Sequence, residues 1–145
     1  MTTFTDAVIA ASFTGAITGN MTGQLVYPAT VARTATATGA TTGMIADAGM
    51  IQFVTVTSDD ANKIIILPTP TPGTIVILGE ASTVGYELRS SAPGTIAING
   101  GAAANAESAI AASTLVIAVC TTATTWQAIS VVAATFAGVE AAAAP

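Results

Sequence analysis

The chain has 145 residues, 52% of them hydrophobic, yet only 8% charged, with three basic and eight acidic side chains, no histidine and a net charge of -5. Three scattered cations, Arg33, Lys63 and Arg89, cannot form the basic patch that displaces counterions from a nucleic-acid backbone, and the absence of histidine removes the commonest general base and transition-metal ligand. The longest apolar stretch, Ala128 to Val139, ends at Glu140, well short of the roughly 20 residues that a membrane span needs.

Thr (25), Ile (14) and Val (12) supply much of the chain, beside 32 Ala. β-Branched residues lose rotamer freedom in helices and fit a pleated sheet, so composition predicts an all-β fold. From Met1 to about Gly49 the sequence is small and polar, with Gly at 15, 19, 23, 39, 43 and 49. It reads as an extended N-terminal arm, residues 1–49, with short strand-like pieces at Ala7 to Thr14 and Gln24 to Thr38. In the second piece Thr34, Thr36 and Thr38 recur at every second position, which places their hydroxyls on one strand face. No lysine or arginine precedes Arg33, so the charged start of a secretory signal is missing.

Residues 50–139 read as consecutive short strands: Ile51 to Thr57, Lys63 to Leu67, Thr74 to Leu78, Val84 to Arg89, Thr95 to Asn99, Thr114 to Thr121 and Thr125 to Val132. Turn signals separate them at Ser58 to Asn62, Pro68 to Gly73, Ala92 to Gly94 and Asn99 to Gly101. Seven strands at this spacing predict a jelly-roll-like sandwich or small barrel. Ile64 to Leu67 and Ile75 to Leu78 are apolar without alternation, so each strand needs cover on both faces, and a second subunit is one source of it. The segment Gly101 to Ala112 suits a short helix or a loop equally. No internal repeat of the length that solenoids use is visible, and residues 140–145 form a short C-terminal tail.

Chemistry is sparse. Lys63 opens a strand after a turn, Asp59 and Asp60 suit that turn better than a metal site, and no spaced acidic run supplies the roughly six to eight oxygens calcium takes. Thus no catalytic residue, metal site or cofactor is assigned. Cys120, alone in an apolar strand, reads as a buried thiol. Trp126 reads as core, with carbohydrate stacking by Trp126, Tyr86 and Tyr27 as a rival. The Thr-x-Thr pairs lack the regular ranks of an ice-binding face. Glu87 and Arg89 share one face of a strand, with Tyr86 and Leu88 on the other. With eleven charges available, Glu87, Arg89 and Arg33, together with the turn residue Asn99, are the candidate intersubunit contacts.

The order Ile65-Ile66-Leu67-Pro68-Thr69-Pro70-Thr71-Pro72-Gly73-Thr74, Gly85-Tyr86-Glu87-Leu88-Arg89-Ser90-Ser91-Ala92-Pro93, Thr95-Ile96-Ala97-Ile98-Asn99-Gly100-Gly101, Asn105-Ala106-Glu107-Ser108-Ala109-Ile110, then Val119-Cys120 and Trp126 resembles small virion structural proteins of tailed phages, particularly those of marine cyanobacteria. The resemblance covers about Thr55 to Val139. It implies a non-enzymatic decoration or cement protein, made in the host cytoplasm and placed on the phage head, whose partners are its own copies, as a homotrimer, and the major capsid protein. A head-fibre, tail-fibre or other appendage subunit is the alternative. Low charge agrees in kind, since interface cores are depleted in charged residues.

Overall fold

A computed structural model describes residues 31–132 and 135–138, with side chains through Val131. The strands are β1 (Val31–Thr34), β2 (Ile51–Thr57), β3 (Ile64–Ile66), β4 (Ile75–Glu80), β5 (Tyr86–Arg89), β6 (Ala97–Ile98), β7 (Glu107–Ile110), β8 (Leu115–Thr122), β9 (Thr125–Val132) and β10 (Thr135–Gly138). The all-β class is the one composition predicts. Among the described residues the helical content is a 3-10 turn at Thr41–Gly43. Where a helix competed with a loop, β7 forms instead. Asn105 turns the chain with φ +61, and the alternation of half-exposed Glu107, buried Ser108, exposed Ala109 and buried Ile110 fits a strand lying on β5.

The strands build a large sheet in the order β1-β2-β4-β8-β9-β10, with β6 also beside β9, and a small sheet in the order β3-β5-β7. One core joins them. Val54, Val56, Val76, Leu78, Val116, Ala118, Trp126 and Ala128 from the large sheet meet Ile65, Tyr86, Leu88 and Ile110 from the small one. Each inward side chain is followed by an outward one, as the period of two requires.

The pairing departs from the predicted jelly roll or barrel, architectures built of antiparallel strands. β1 pairs β2, β2 pairs β4 and β3 pairs β5, all in parallel. The chain therefore alternates between sheets as it advances, coiling like a solenoid. Val31 lies beside Val54, Ile51 beside Ile75 and Ile64 beside Glu87, nearly the same step along the chain each time. After β5 the direction reverses. β7 runs antiparallel to β5, β8 to β4 and β9 to β8, closing that end of the coil. A solenoid-like coil, which the sequence reading did not support, is thus the nearer description of residues 31–89.

The boundary of the arm is corrected too. Residues 31–49 belong to the folded unit: β1 is a strand of the large sheet, and Ala35 and Ile45 are core residues at 1% and 2% exposure. Thr36 and Met44 bridge to Ile64 and Ile66 on the edge of β3. The Thr34/Thr36/Thr38 face does not form, because the chain leaves β1 at Ala35 and turns through Ala37 and Thr38, with the Gly39 N–H donating to the Thr36 carbonyl. Residues 1–30, with the predicted strand at Ala7 to Thr14, and the tail 140–145 lie outside the described residues.

Gly39 explains how β3 is covered on its second face. It has φ +71, and a Cβ there would lie 2.6 to 2.8 Å from side-chain carbons of Ile66 and Ile64. Only a bare α-carbon fits against that surface in that conformation. Gly85 is tighter still, since its Cβ would lie 2.1 Å from the Ile110 carbonyl oxygen. Gly85→Ala must push β5 from β7 and is expected to lower unfolding free energy by about 2–3 kcal/mol, read as a lower denaturant midpoint.

Candidate assembly interface

The alternation that fills the core also determines what the large sheet shows to the outside. On its outer face Phe53 lies beside Ile77, Ile77 beside Ile117 and Ile117 beside Ile129. This apolar row crosses four neighbouring strands. The next row runs Ile51, Ile75, Val119 and Gln127, and the row on the other side runs Thr55, Gly79, Leu115 and Val131. None of these positions bears a charge. Phe53, Leu115 and Ile129 are 40%, 38% and 43% exposed, while Ile77 and Ile117 between them are half-buried. A Cβ on Gly79 would meet nothing within 4 Å, so the face is open there. Contiguous exposed apolar area of this kind is characteristic of interaction surfaces.

The charged candidates are used differently. Arg89 and Glu107 are register partners on β5 and β7, and Arg89 Nη2 donates to Glu107 Oε1 in an ion pair with side chains 17% and 12% exposed. Tyr86 and Leu88 point into the core from the same strand, as the spacing implies. Asn99, at φ +50, completes the edge of β9: its Nδ2 donates to the Ala128 carbonyl at 3.0 Å, and its Oδ1 accepts the Ala128 N–H at 2.8 Å. Arg89 and Asn99 therefore hold the subunit itself together. Glu87 is half-buried on the outer face of the small sheet, where burial and then the nearby Glu107 charge raise its carboxyl above the ordinary range. Arg33 lies on β1, its Nε buried without a hydrogen-bond partner among the described residues. The structure does not gather these four into one cluster. Glu87 and Arg89 lie on the small sheet, Arg33 on β1 at the edge of the large sheet, and Asn99 in the turn after β6.

The remaining polar and reactive groups serve the fold. Lys63 Nζ meets Asp59 Oδ1 at 2.6 Å across the turn, and that hydrogen bond holds the exposed Asp59 carboxyl below its usual range. Asp60 Oδ1 accepts the Asn62 N–H at 2.9 Å, closing an Asx turn. Cys120 is buried, and its Sγ lies 3.1 Å from the Thr122 carbonyl; burial raises the thiol pKa, which disfavours the reactive thiolate. Trp126 and Tyr86 are fully buried, so neither offers a stacking platform for a sugar, and Tyr27 lies outside the described residues. A groove of about 270 Å³ beside Met50, Gln52 and Thr74 contains one titratable side chain, Asp47, whose Oδ1 accepts the Thr69 N–H at 2.7 Å. Among the described residues no three His, Cys, Asp or Glu side chains come together to hold a metal ion. No described helix is long and apolar enough to cross a membrane. The chain matches no protein-family model, curated protein or solved structure with which it was compared.

Two outcomes follow from the charges. Glu107→Ala leaves the Arg89 guanidinium without its partner and is expected to cost about 3 kcal/mol, while Arg89→Met with Glu107→Leu stays close to the parent; chemical unfolding measures both. Glu87 binds its proton more tightly in the folded chain than in the unfolded one, so its ionisation opposes folding as pH rises through and above the normal carboxylate range. Glu87→Gln is expected to raise the melting temperature at pH 7 and to leave it unchanged at pH 3, where the carboxyl is protonated in both states.

Proposed function

We propose that this chain is a non-enzymatic virion structural protein, a decoration or cement subunit of a phage head, which buries the outer face of its large sheet against copies of itself and the capsid surface. The observation that carries this reading is the charge-free row Phe53, Ile77, Ile117 and Ile129 with its flanking rows. Long charged side chains are expensive to desolvate and depleted from interface cores. A sheet face that carries none is suited to burial. The resemblance of residues 55–139 to phage virion proteins supplies the setting, with a homotrimer on the major capsid protein as the arrangement it implies.

The mechanism is additive stabilisation. Each copy removes apolar area from water at roughly 25 cal/mol per Å², less the entropy lost on association, and a shell of many copies multiplies the gain. No step requires a nucleophile, a cofactor or a proton shuttle.

Immunogold labelling of virions whose genome encodes the chain tests the placement. Gold over the head is expected; gold confined to the tail or to projecting fibres would transfer the protein to the appendage class, and unlabelled virions would overturn the virion reading. A double substitution, Leu115→Lys with Ile129→Lys, tests the face. Because both side chains already reach solvent, unfolding is expected to stay within about 1 kcal/mol of the parent, while sedimentation shows loss of self-association and of binding to undecorated heads. Retained binding at full occupancy would remove this face from the interface.

A further inference from the structure

The coil advances by a nearly constant step, from Val31 to Val54, Met44 to Ile66, Ile51 to Ile75 and Ile64 to Glu87. The sequence carries the same period upstream of the described residues. Ala11-Ser12-Phe13-Thr14-Gly15-Ala16-Ile17-Thr18-Gly19 matches Ala35-Thr36-Ala37-Thr38-Gly39-Ala40-Thr41-Thr42-Gly43, one such step later, at all but three positions, and of those three Ser12 against Thr36 keeps the hydroxyl. The offset between the two copies is the one that separates Ile51 from its strand neighbour Ile75. A chain rich in Ala, Thr and Gly gives chance matches, but chance does not select the step of the coil.

The matched positions include the three buried ones of the later copy. Ala35 is a core residue at 1% exposure, Gly39 has φ +71 against Ile64 and Ile66, and a Cβ on Gly43 would lie 2.6 Å from the Ile64 carbonyl oxygen. Ala11, Gly15 and Gly19 occupy those places in the earlier copy. Farther along, Met21 stands where Ile45 enters the core, and Tyr27 where Ile51 begins β2. The two positions that differ in kind, Ala37 and Thr41, are exposed.

The described structure leaves a place for such a turn. β1 ends the order of the large sheet, so one side of its backbone carries donors and acceptors with no strand beside them among the described residues, an edge that invites another strand. Arg33 Nε is buried there with no acceptor among the described residues, and a strand added along β1 would bring main-chain carbonyls to it.

From the shared period, the shared glycines and this open edge we infer that the edge of the coil formed by β1 and Thr36 to Met44 is the docking site for residues 7–30 of the same chain. These residues add one further turn, with Ala7 to Ala10 lying parallel to Val31 to Thr34. The chain runs directly from residue 30 into β1, so the turn is closed without a linker. This inference is independent of the assembly reading: it concerns the edge of the large sheet, and that reading its outer face.

The test uses the full chain with Cys120→Ala and pyrene labels on Val8→Cys and Ala32→Cys, positions one step of the coil apart, which parallel neighbours bring within about 5 Å between backbones. Strong excimer emission unchanged by dilution is expected. Monomer emission alone from the folded protein would overturn the inference, as would excimer emission that fades on dilution or forms between singly labelled chains, which would assign the site to the segment of a second copy. A second measurement needs no label. Gly15→Val with Gly19→Val is expected to speed hydrogen exchange at the Val31 to Thr34 amides at least tenfold with the β8 and β9 amides unaffected, and unchanged exchange at β1 would overturn it.

Discussion

The structure depends on one constraint, that a strand sends successive side chains to opposite faces. Where a strand alternates apolar with polar residues, one buried face satisfies it. Where both sets are apolar, a second cover is needed. β3 and β4 are the clear cases here, and the chain treats them differently. The second face of β3 lies under the turn at Gly39, whose bare α-carbon permits contact with Ile64 and Ile66. The second face of β4, with Ile75 and Ile77, instead becomes the middle of an open apolar surface extended by β2, β8 and β9.

The coil follows from the same economy. Alternating between two sheets lets each short strand contribute to a single core and brings the next turn alongside in parallel, so a modest set of larger apolar residues is sufficient. Val54, Val76 and Leu78 on one side and Ile65 and Leu88 on the other occupy that core in succession. The antiparallel strands β7, β8 and β9 then close one end, with Asn99 serving Ala128 where β6 ends. At the other end β1 is the last strand among the described residues, and its edge and the outer face present separate questions: a strand edge is completed by backbone, a sheet face by side chains.

Much of this is legible in the residues. Thr, Ile and Val with Gly and Pro punctuation are sufficient for the all-β class and for the approximate positions of β2, β4, β8 and β9. The strand chemistry of Tyr86-Glu87-Leu88-Arg89, the burial of Cys120 and Trp126 and the turn at Asp59 to Asn62 are legible for the same reason, because local periodicity and turn chemistry determine them. Strand pairing is not, since the choice between parallel and antiparallel neighbours is made by contacts such as Val31 with Val54 or Ile77 with Ile117, far apart in the chain. Glycine-rich residues 31–49 look like an arm because their stability comes from β2 and β3 rather than from their own sequence. The charge of Arg89 and the amide of Asn99 look available for a partner, and only the pairing with β7 and β9 reveals that they are engaged. The signal for the outer face is present in Ile75 to Leu78, whose lack of alternation already requires a second cover.

A chain with three basic and eight acidic side chains hides one apolar face in its own core, and in the proposed assembly it hides the other between copies. Carbene footprinting of the unmodified protein over a concentration series reads that face directly, residue by residue. Ile117, Ile129 and Leu115 are expected to lose label as the protein assembles, while the exposed Asn62 and Ala109 on other surfaces keep theirs. Equal labelling of the outer face at every concentration, in a protein that remains a soluble monomer, would contradict the claim.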